Sequence, residues 1–285
     1  MANNTPSPNP TLHAVLRPPT SNVPRSTAAG NSDLIKMLHP ITLLSALTST
    51  RTTLKPSIVG GTEVSITDYP YQIALLNGGA CTCGGSIISP NHIVTAAHCV
   101  RSARDPSHIS IRAGSSFHNT GGEIVNVSAI AVHPAYSAGM VDNDIAVLTL
   151  GQALEFKPGI EPIALPASGS TALAAGEEVV VSGWGTETET GSLSRVLRAV
   201  AVAVTTMAEC RAAHGEKYIT ESMFCAGVAG GGKDACYGDS GGPVVGGGVL
   251  VGVVSWGKGC ARPGYPGVYA SAAYLRDFIA AVAGV

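Results

Sequence analysis

The sequence predicts an all-β body closed by a C-terminal α-helix. Three observations predict it. Short runs of alternating or continuous apolar residues recur from Ile58 onward, each bounded by turn residues. Glycine is abundant, at 35 residues, while aromatics make up only 5% of the chain. Many short strands joined by glycine turns give that profile. A convincing helical period appears at the very end.

Residues 1–33 are polar, rich in proline and without periodicity, so they are expected to be disordered. From Met37 the chain reads MLHPITLLSALTST. Its apolar part is short and broken by His39 and Pro40. The stretch 37–50 reads as a poor secretory h-region from an internal start, or as linker. At Ile58 the texture changes. Residues 1–57 are read as an N-terminal pro-segment and 58–285 as the folded domain. Within that domain 124–132 (EIVNVSAIA), 198–204 (RAVAVAV) and 248–254 (GVLVGVV) read as strands. Ser89-Pro90-Asn91 and the glycines at 230–232 mark turns. Near the end, Leu275, Phe278, Ile279 and Val282 fall at helical spacing and Gly284 can terminate the run. The helix is expected over about 273–284.

Composition narrows the function. Hydrophobic residues at 45% and charged residues at 13% allow a sizeable core. No apolar run approaches the ~18 residues that a membrane span needs. The net charge of −2 hides an asymmetry. Residues 1–57 hold five basic residues and one acid, leaving 12 basic and 18 acidic residues in the body. An acidic body argues against nucleic acid and favours cationic partners. All seven cysteines lie after Ile58, and none forms a CxxC pair. Scattered through a β-rich chain they read as disulfides formed in an oxidising compartment; buried thiols in a reducing one are the alternative.

Three segments carry chemistry: TAAHC at 95–99, DNDIAVL at 142–148 and DACYGDSGGP at 234–243. A serine hydroxyl such as that of Ser240 is a weak nucleophile and needs a base, for which His98 is the candidate. The imidazole needs a carboxylate to fix its tautomer, and Asp144 is placed for that. The Gly238 and Ser240 amides can hold the oxyanion. Each part alone is ambiguous. Most histidines are structural, Asp144 could merely cap a strand, and Asp142 competes with it. Gly238–Gly242 also satisfies the GxSxG pattern of α/β-hydrolases. Those enzymes run Ser, Asp, His, with the serine between strand and helix. Here the order is His98, Asp144, Ser240, and glycine and strand follow the serine.

From Ile58 to Val285 the chain resembles the chymotrypsin-family serine proteases of the trypsin type. The motifs that carry the resemblance are IVGG, CGGS, TAAHC, DIAVL, GWG, CAG, GDSGGP, VSWG and PGVY, in that order. The short loops and six matching cysteines look most like fungal and bacterial trypsins. The resemblance implies two six-stranded antiparallel β-barrels, over about 73–165 and 166–272, with the active cleft between them. It implies the pairs Cys83–Cys99, Cys210–Cys225 and Cys236–Cys260. Cys81 is left over. Two residues before Cys83 on a strand, it should share that residue's face, with some risk of mispairing with Cys99.

The resemblance also places Asp234 at the base of a specificity pocket for Lys or Arg, with Ser255, Trp256, Gly257 and Gly267 along its walls. Ala235 stands where many trypsins have serine, and Tyr237 where glutamine is common. Both touch specificity. Ile58 would supply a new N-terminal ammonium that folds inward onto Asp239 and completes the oxyanion hole. Ser57 precedes it, and Lys55 is followed by Pro56, so self-activation is not expected and another protease must expose Ile58. No cofactor is expected. No acidic loop like the calcium site of animal trypsins occurs at 112–124, so no metal is expected either. Asn126-Val127-Ser128 is a weak glycosylation signal. The expected protein is a secreted, monomeric endopeptidase acting on protein and peptide substrates with Arg or Lys, and open to protein inhibitors. The alternative is a catalytically silent homologue used as a binding module.

Overall fold

A computed structural model describes residues 58–103, 105–170 and 173–285. The expectations for 1–57 lie outside the described residues. Six strands close the first barrel: β2 (Gln72–Asn77), β3 (Ala80–Ser89), β4 (His92–Thr95), β5 (Ile109–Ala113), β6 (Glu123–Val132) and β7 (Ala146–Leu150). They pair antiparallel in the order β2-β3-β4-β7-β6-β5. The second barrel is built from β8 (Glu178–Gly183), β9 (Arg198–Val204), β10 (Met223–Gly227), β11 (Pro243–Gly246), β12 (Val249–Trp256) and β13 (Gly267–Ser271). Here the order is β8-β9-β10-β13-β12-β11, and β11 pairs back onto β8. A two-residue strand, β1 (Thr62–Glu63), adds to β9.

Closure pairs each barrel strand with two neighbours and gives each barrel an apolar centre. Ile73, Leu75, Ile87, Ile93, Ile111 and Leu148 fill the first. Val179, Val181, Val202, Val244 and Tyr269 fill the second. A third cluster joins the two. Val94, Ile145 and Val147 of the first barrel meet Leu250 and Val253 of the second, together with Leu275 and Ile279. Ile279 lies on α3 (Arg276–Ala283), so the C-terminal helix seals the seam. Fully burying one such side chain stabilises by about 1.5–3 kcal/mol. The helix starts a little later than its apolar spacing suggests. Residues just before it form a turn in which the Leu275 N–H donates to Ser271 O.

Two features differ from the sequence reading. A second multi-turn helix, α2 (Met207–His214), follows Thr206. Thr206 Oγ1 accepts from the Glu209 N–H, and Glu209 Oε2 accepts from the Thr206 N–H. That capping box was visible as T-x-x-E. The helix escaped notice because it has little apolar face: of its side chains only Cys210 is buried. Cys210 ties it to β10 through the disulfide to Cys225.

The second difference concerns Cys81. Leu75 pairs with Cys83 and Leu76 with Cys81, so Thr82 is the extra residue of a β-bulge. The bulge turns Cys81 to the opposite face from Cys83, which overturns the expectation that they share one. Cys83 enters the first core and bonds Cys99. Cys81 is free and packs outside, against Ile66, Leu76, Trp184 and Leu197. Burial, with Asp239 nearby, pushes its thiol pKa up to about 11. Alkylation at pH 8 should therefore find less than one reactive thiol in the native protein and one after unfolding without reductant. A fast native thiol would contradict this packing.

Candidate active site

His98 sits on α1 (Ala97–Val100), a single turn that follows β4. Asp144 immediately precedes Ile145 and the buried start of β7, and its side chain is only 1% exposed. β4 and β7 are hydrogen-bonded neighbours, with Thr95 opposite Ala146, so their ends bring the two residues together. The His98 backbone N–H donates to Asp144 Oδ1 at 2.9 Å, and His98 Nδ1 lies 2.7 Å from Oδ2. The Ser255 hydroxyl donates to the same Oδ2 at 2.6 Å from the second barrel. With Nδ1 as donor, Nε2 is left to accept a proton. Asp142 is engaged elsewhere. Its Oδ1 accepts from Thr220 Oγ1 and Ser222 Oγ, each at 2.6 Å.

Ser240 lies on the loop between Cys236 and β11, which is bound from both sides. The Gly84 N–H of the first barrel donates to Ser240 O, and the Gly241 N–H donates to Val254 O. Gly238 has φ of 96°, and a Cβ there would overlap Leu193. Among the described residues, no protein group accepts from the Gly238 or Ser240 amide. Ser240 and His98 line one cleft of about 330 Å³.

Asp239 is fully buried. Its Oδ1 accepts from the Gly185 N–H at 2.7 Å and its Oδ2 from the Cys236 N–H at 2.9 Å. Side chains on Gly183 or Gly185 would collide with that carboxylate, which accounts for both glycines of GWG. Burial pushes the Asp239 pKa up to about 7, against the pull of those two N–H donors. Ile58 is fully buried in the second-barrel core, and the Asp234 N–H donates to Val59 O.

The same cleft holds Asp234, Ala235, Tyr237, Ser255, Trp256, Gly257 and Gly267. Asp234 is 4% exposed. Its Oδ2 accepts from the Ala261 N–H at 2.8 Å, while Oδ1, with the Tyr269 hydroxyl beside it, makes no hydrogen bond of good geometry among the described residues. Burial raises its pKa to about 6. A Cβ on Gly267 would stand 2.8 Å from Asp234 Oδ1 and 2.7 Å from the Tyr269 hydroxyl, so glycine keeps the floor open. Tyr237, at 60% exposure, forms the rim. Sequence reasoning missed Tyr269 as a floor residue. The signal was its place two residues after Gly267 on β13, hence on the same face. It also missed Tyr136 and Val141, which the loop before Asp144 adds to the cleft.

The family model described as Trypsin matches residues 58–279. Trypsin delta of Drosophila erecta is 48% identical over 226 residues, covering 78% of this chain and 87% of that protein. Trypsin-1 of Astacus astacus is 44% identical over 237 residues, covering 79% and 99%. The vitellin-degrading protease of Bombyx mori is 44% identical over 223 residues, covering 78% and 84%. The chain belongs to the trypsin family of serine endopeptidases.

The raised carboxyl pKa values have a consequence for stability. A carboxyl that holds its proton more tightly folded than unfolded loses stability as pH rises from about 4 through its folded pKa. For Asp239 that window runs from about 4 to about 7. Histidines such as His118 and His214, held low by burial, act in the opposite sense. The diagnostic is therefore a difference. In the unprocessed chain, kept inactive by Ser240→Ala, Asp239→Asn should gain stability relative to its parent across that window, read as urea midpoints. Parallel pH profiles would contradict it.

Proposed function

We propose that this chain is a secreted endopeptidase, made as a zymogen, that cleaves protein and peptide substrates after Arg and Lys, with Arg preferred. The observation that supports this most directly is the buried Asp234 carboxyl on the floor of the cleft that holds Ser240 and His98, with the Tyr269 hydroxyl beside its Oδ1. A buried carboxyl that no cation among the described residues neutralises suits a cationic side chain entering from the mouth.

In the proposed mechanism Ser240 Oγ attacks the scissile carbonyl while His98 Nε2 takes its proton. Asp144 holds the imidazole and stabilises its cation. The Gly238 and Ser240 amides donate to the oxyanion. His98 then protonates the leaving amine, and water repeats the sequence on the acyl-enzyme. The three donors on Asp144 hold its carboxylate in place against the imidazole.

For activation, cleavage between Ser57 and Ile58 by another protease would create an ammonium at Ile58. Asp239 is the buried carboxylate it would meet. No cationic side chain pairs with Asp239 among the described residues, which suits a partner that arrives only after cleavage. Three disulfides suit the oxidising exterior. No helix among the described residues is long and apolar enough to cross a membrane.

Two experiments test the reading. Asp144→Asn should lower kcat by roughly four orders of magnitude, the scale that the wrong histidine tautomer costs in this family. Asp142→Asn should cost far less, because its bonds are to Thr220 and Ser222. The reverse ranking would reassign the carboxylate. On matched substrates Arg should exceed Lys by about tenfold or more in kcat/KM. Arginine's fork reaches Asp234 directly, whereas lysine is shorter and Ala235 lacks the hydroxyl that would assist it. Ala235→Ser should narrow the gap. Equal wild-type rates would refute the preference.

A further inference from the structure

The segment from Thr186 to Leu193 is a small hairpin closed by a bridge between those two residues. One side of it braces the loop of the candidate nucleophile. The Thr186 N–H donates to Tyr237 O at 2.8 Å, Thr186 Oγ1 donates to Cys236 Sγ, and Leu193 fills the space beside Gly238. The tip reaches the other wall of the cleft. Glu189 Oε1 accepts from the Cys260 N–H at 2.9 Å and from Arg262 Nε at 2.6 Å. Its Oε2 accepts from Arg262 Nη2 at 2.7 Å. Glu189 thus grips the residue on each side of Ala261.

Ala261 is the residue whose N–H holds Asp234 Oδ2. Gly259 permits the grip, because a side chain there would collide with both Glu189 and Arg262. The disulfide from Cys260 to Cys236 closes the circuit back to the nucleophile loop. We propose that Glu189 is a positioning residue for the specificity pocket: its fork onto Arg262 and the Cys260 N–H holds the Ala261 amide on Asp234 and so fixes the carboxylate that receives the substrate cation. This rests on Asp234 being the receiving group.

The pair is partly exposed, so its effect on global stability is small. It reaches the Ala261 amide, 2.8 Å from Asp234, through the residues on either side of it. Arg262, with help from the Cys260 N–H, pulls the Glu189 pKa down to about 2, so the clamp stays ionised at any working pH. The oxyanion side of the hairpin has contacts of its own, through Thr186 and Leu193. Loss of the clamp should therefore appear in binding, not in the chemical step.

Benzamidine, a small planar amidinium that enters the pocket alone, is the probe. With enzyme concentration fixed by active-site titration, Glu189→Ala should raise the benzamidine Ki and the KM of an Arg substrate by roughly tenfold, with kcat within about twofold. Glu189→Gln keeps an acceptor for the Cys260 N–H but not the charged fork, and should fall between. Arg262→Gln should resemble Glu189→Gln. Unchanged Ki in Glu189→Ala, or a loss confined to kcat or to melting temperature, would overturn the proposal. A wild-type enzyme indifferent to both benzamidine and Arg substrates would instead overturn the reading of Asp234 on which it rests.

Discussion

A fully buried carboxylate, that of Asp239, organises the loop on which the proposed chemistry depends. Taking an ionised carboxyl out of water is costly unless donors surround it. Here two backbone N–H groups do so, from Gly185 and Cys236. The requirement spreads outward. The GWG turn must carry glycines, since side chains at 183 or 185 would occupy the carboxylate's space. With Asp239 turned inward, the neighbouring Gly238 and Ser240 amides have no protein acceptors among the described residues. Donors aimed in advance at a developing anion need no rearrangement when the charge appears.

The second node is Asp144, which receives donors from both barrels. His98 approaches from the first, through backbone and ring, and Ser255 from the second. The hydrophobic seam of Val94, Ile145, Val147, Leu250, Val253 and Ile279 holds the barrels in the register that lets this happen. A slip along the seam would break short, directional hydrogen bonds long before it exposed much apolar surface. Hydrophobic burial sets how strongly the barrels associate, and the carboxylate sets where.

The pocket shows how an all-β scaffold makes a polar site from very few polar atoms. Glycines at 257 and 267 supply space, Asp234 supplies charge, and one backbone amide, that of Ala261, orients it. Raised pKa values for both Asp234 and Asp239 follow from burial in the same small region, and their mutual repulsion adds to that of Asp239. A cation placed beside either carboxyl would favour its charged form.

The sequence by itself determined the β class, the strand runs at 124–132, 198–204 and 248–254 and the terminal helix, and it singled out the segments around His98, Asp144 and Ser240 on which the proposed chemistry rests. These were legible because period, turn chemistry and contiguous motifs are local properties of a chain. Which aspartate faces His98 was not local. Asp142 and Asp144 differ only in what the fold brings to them, Thr220 and Ser222 in one case and His98 with Ser255 in the other. Nor was the face of Cys81, because a period of two assumes an unbroken ladder and the bulge at Thr82 breaks it. The grip of Glu189 on Cys260 and Arg262 was decided by tertiary structure alone. It joins residues far apart in the chain, and a hydrogen bond between distant segments leaves no trace in the spacing of either.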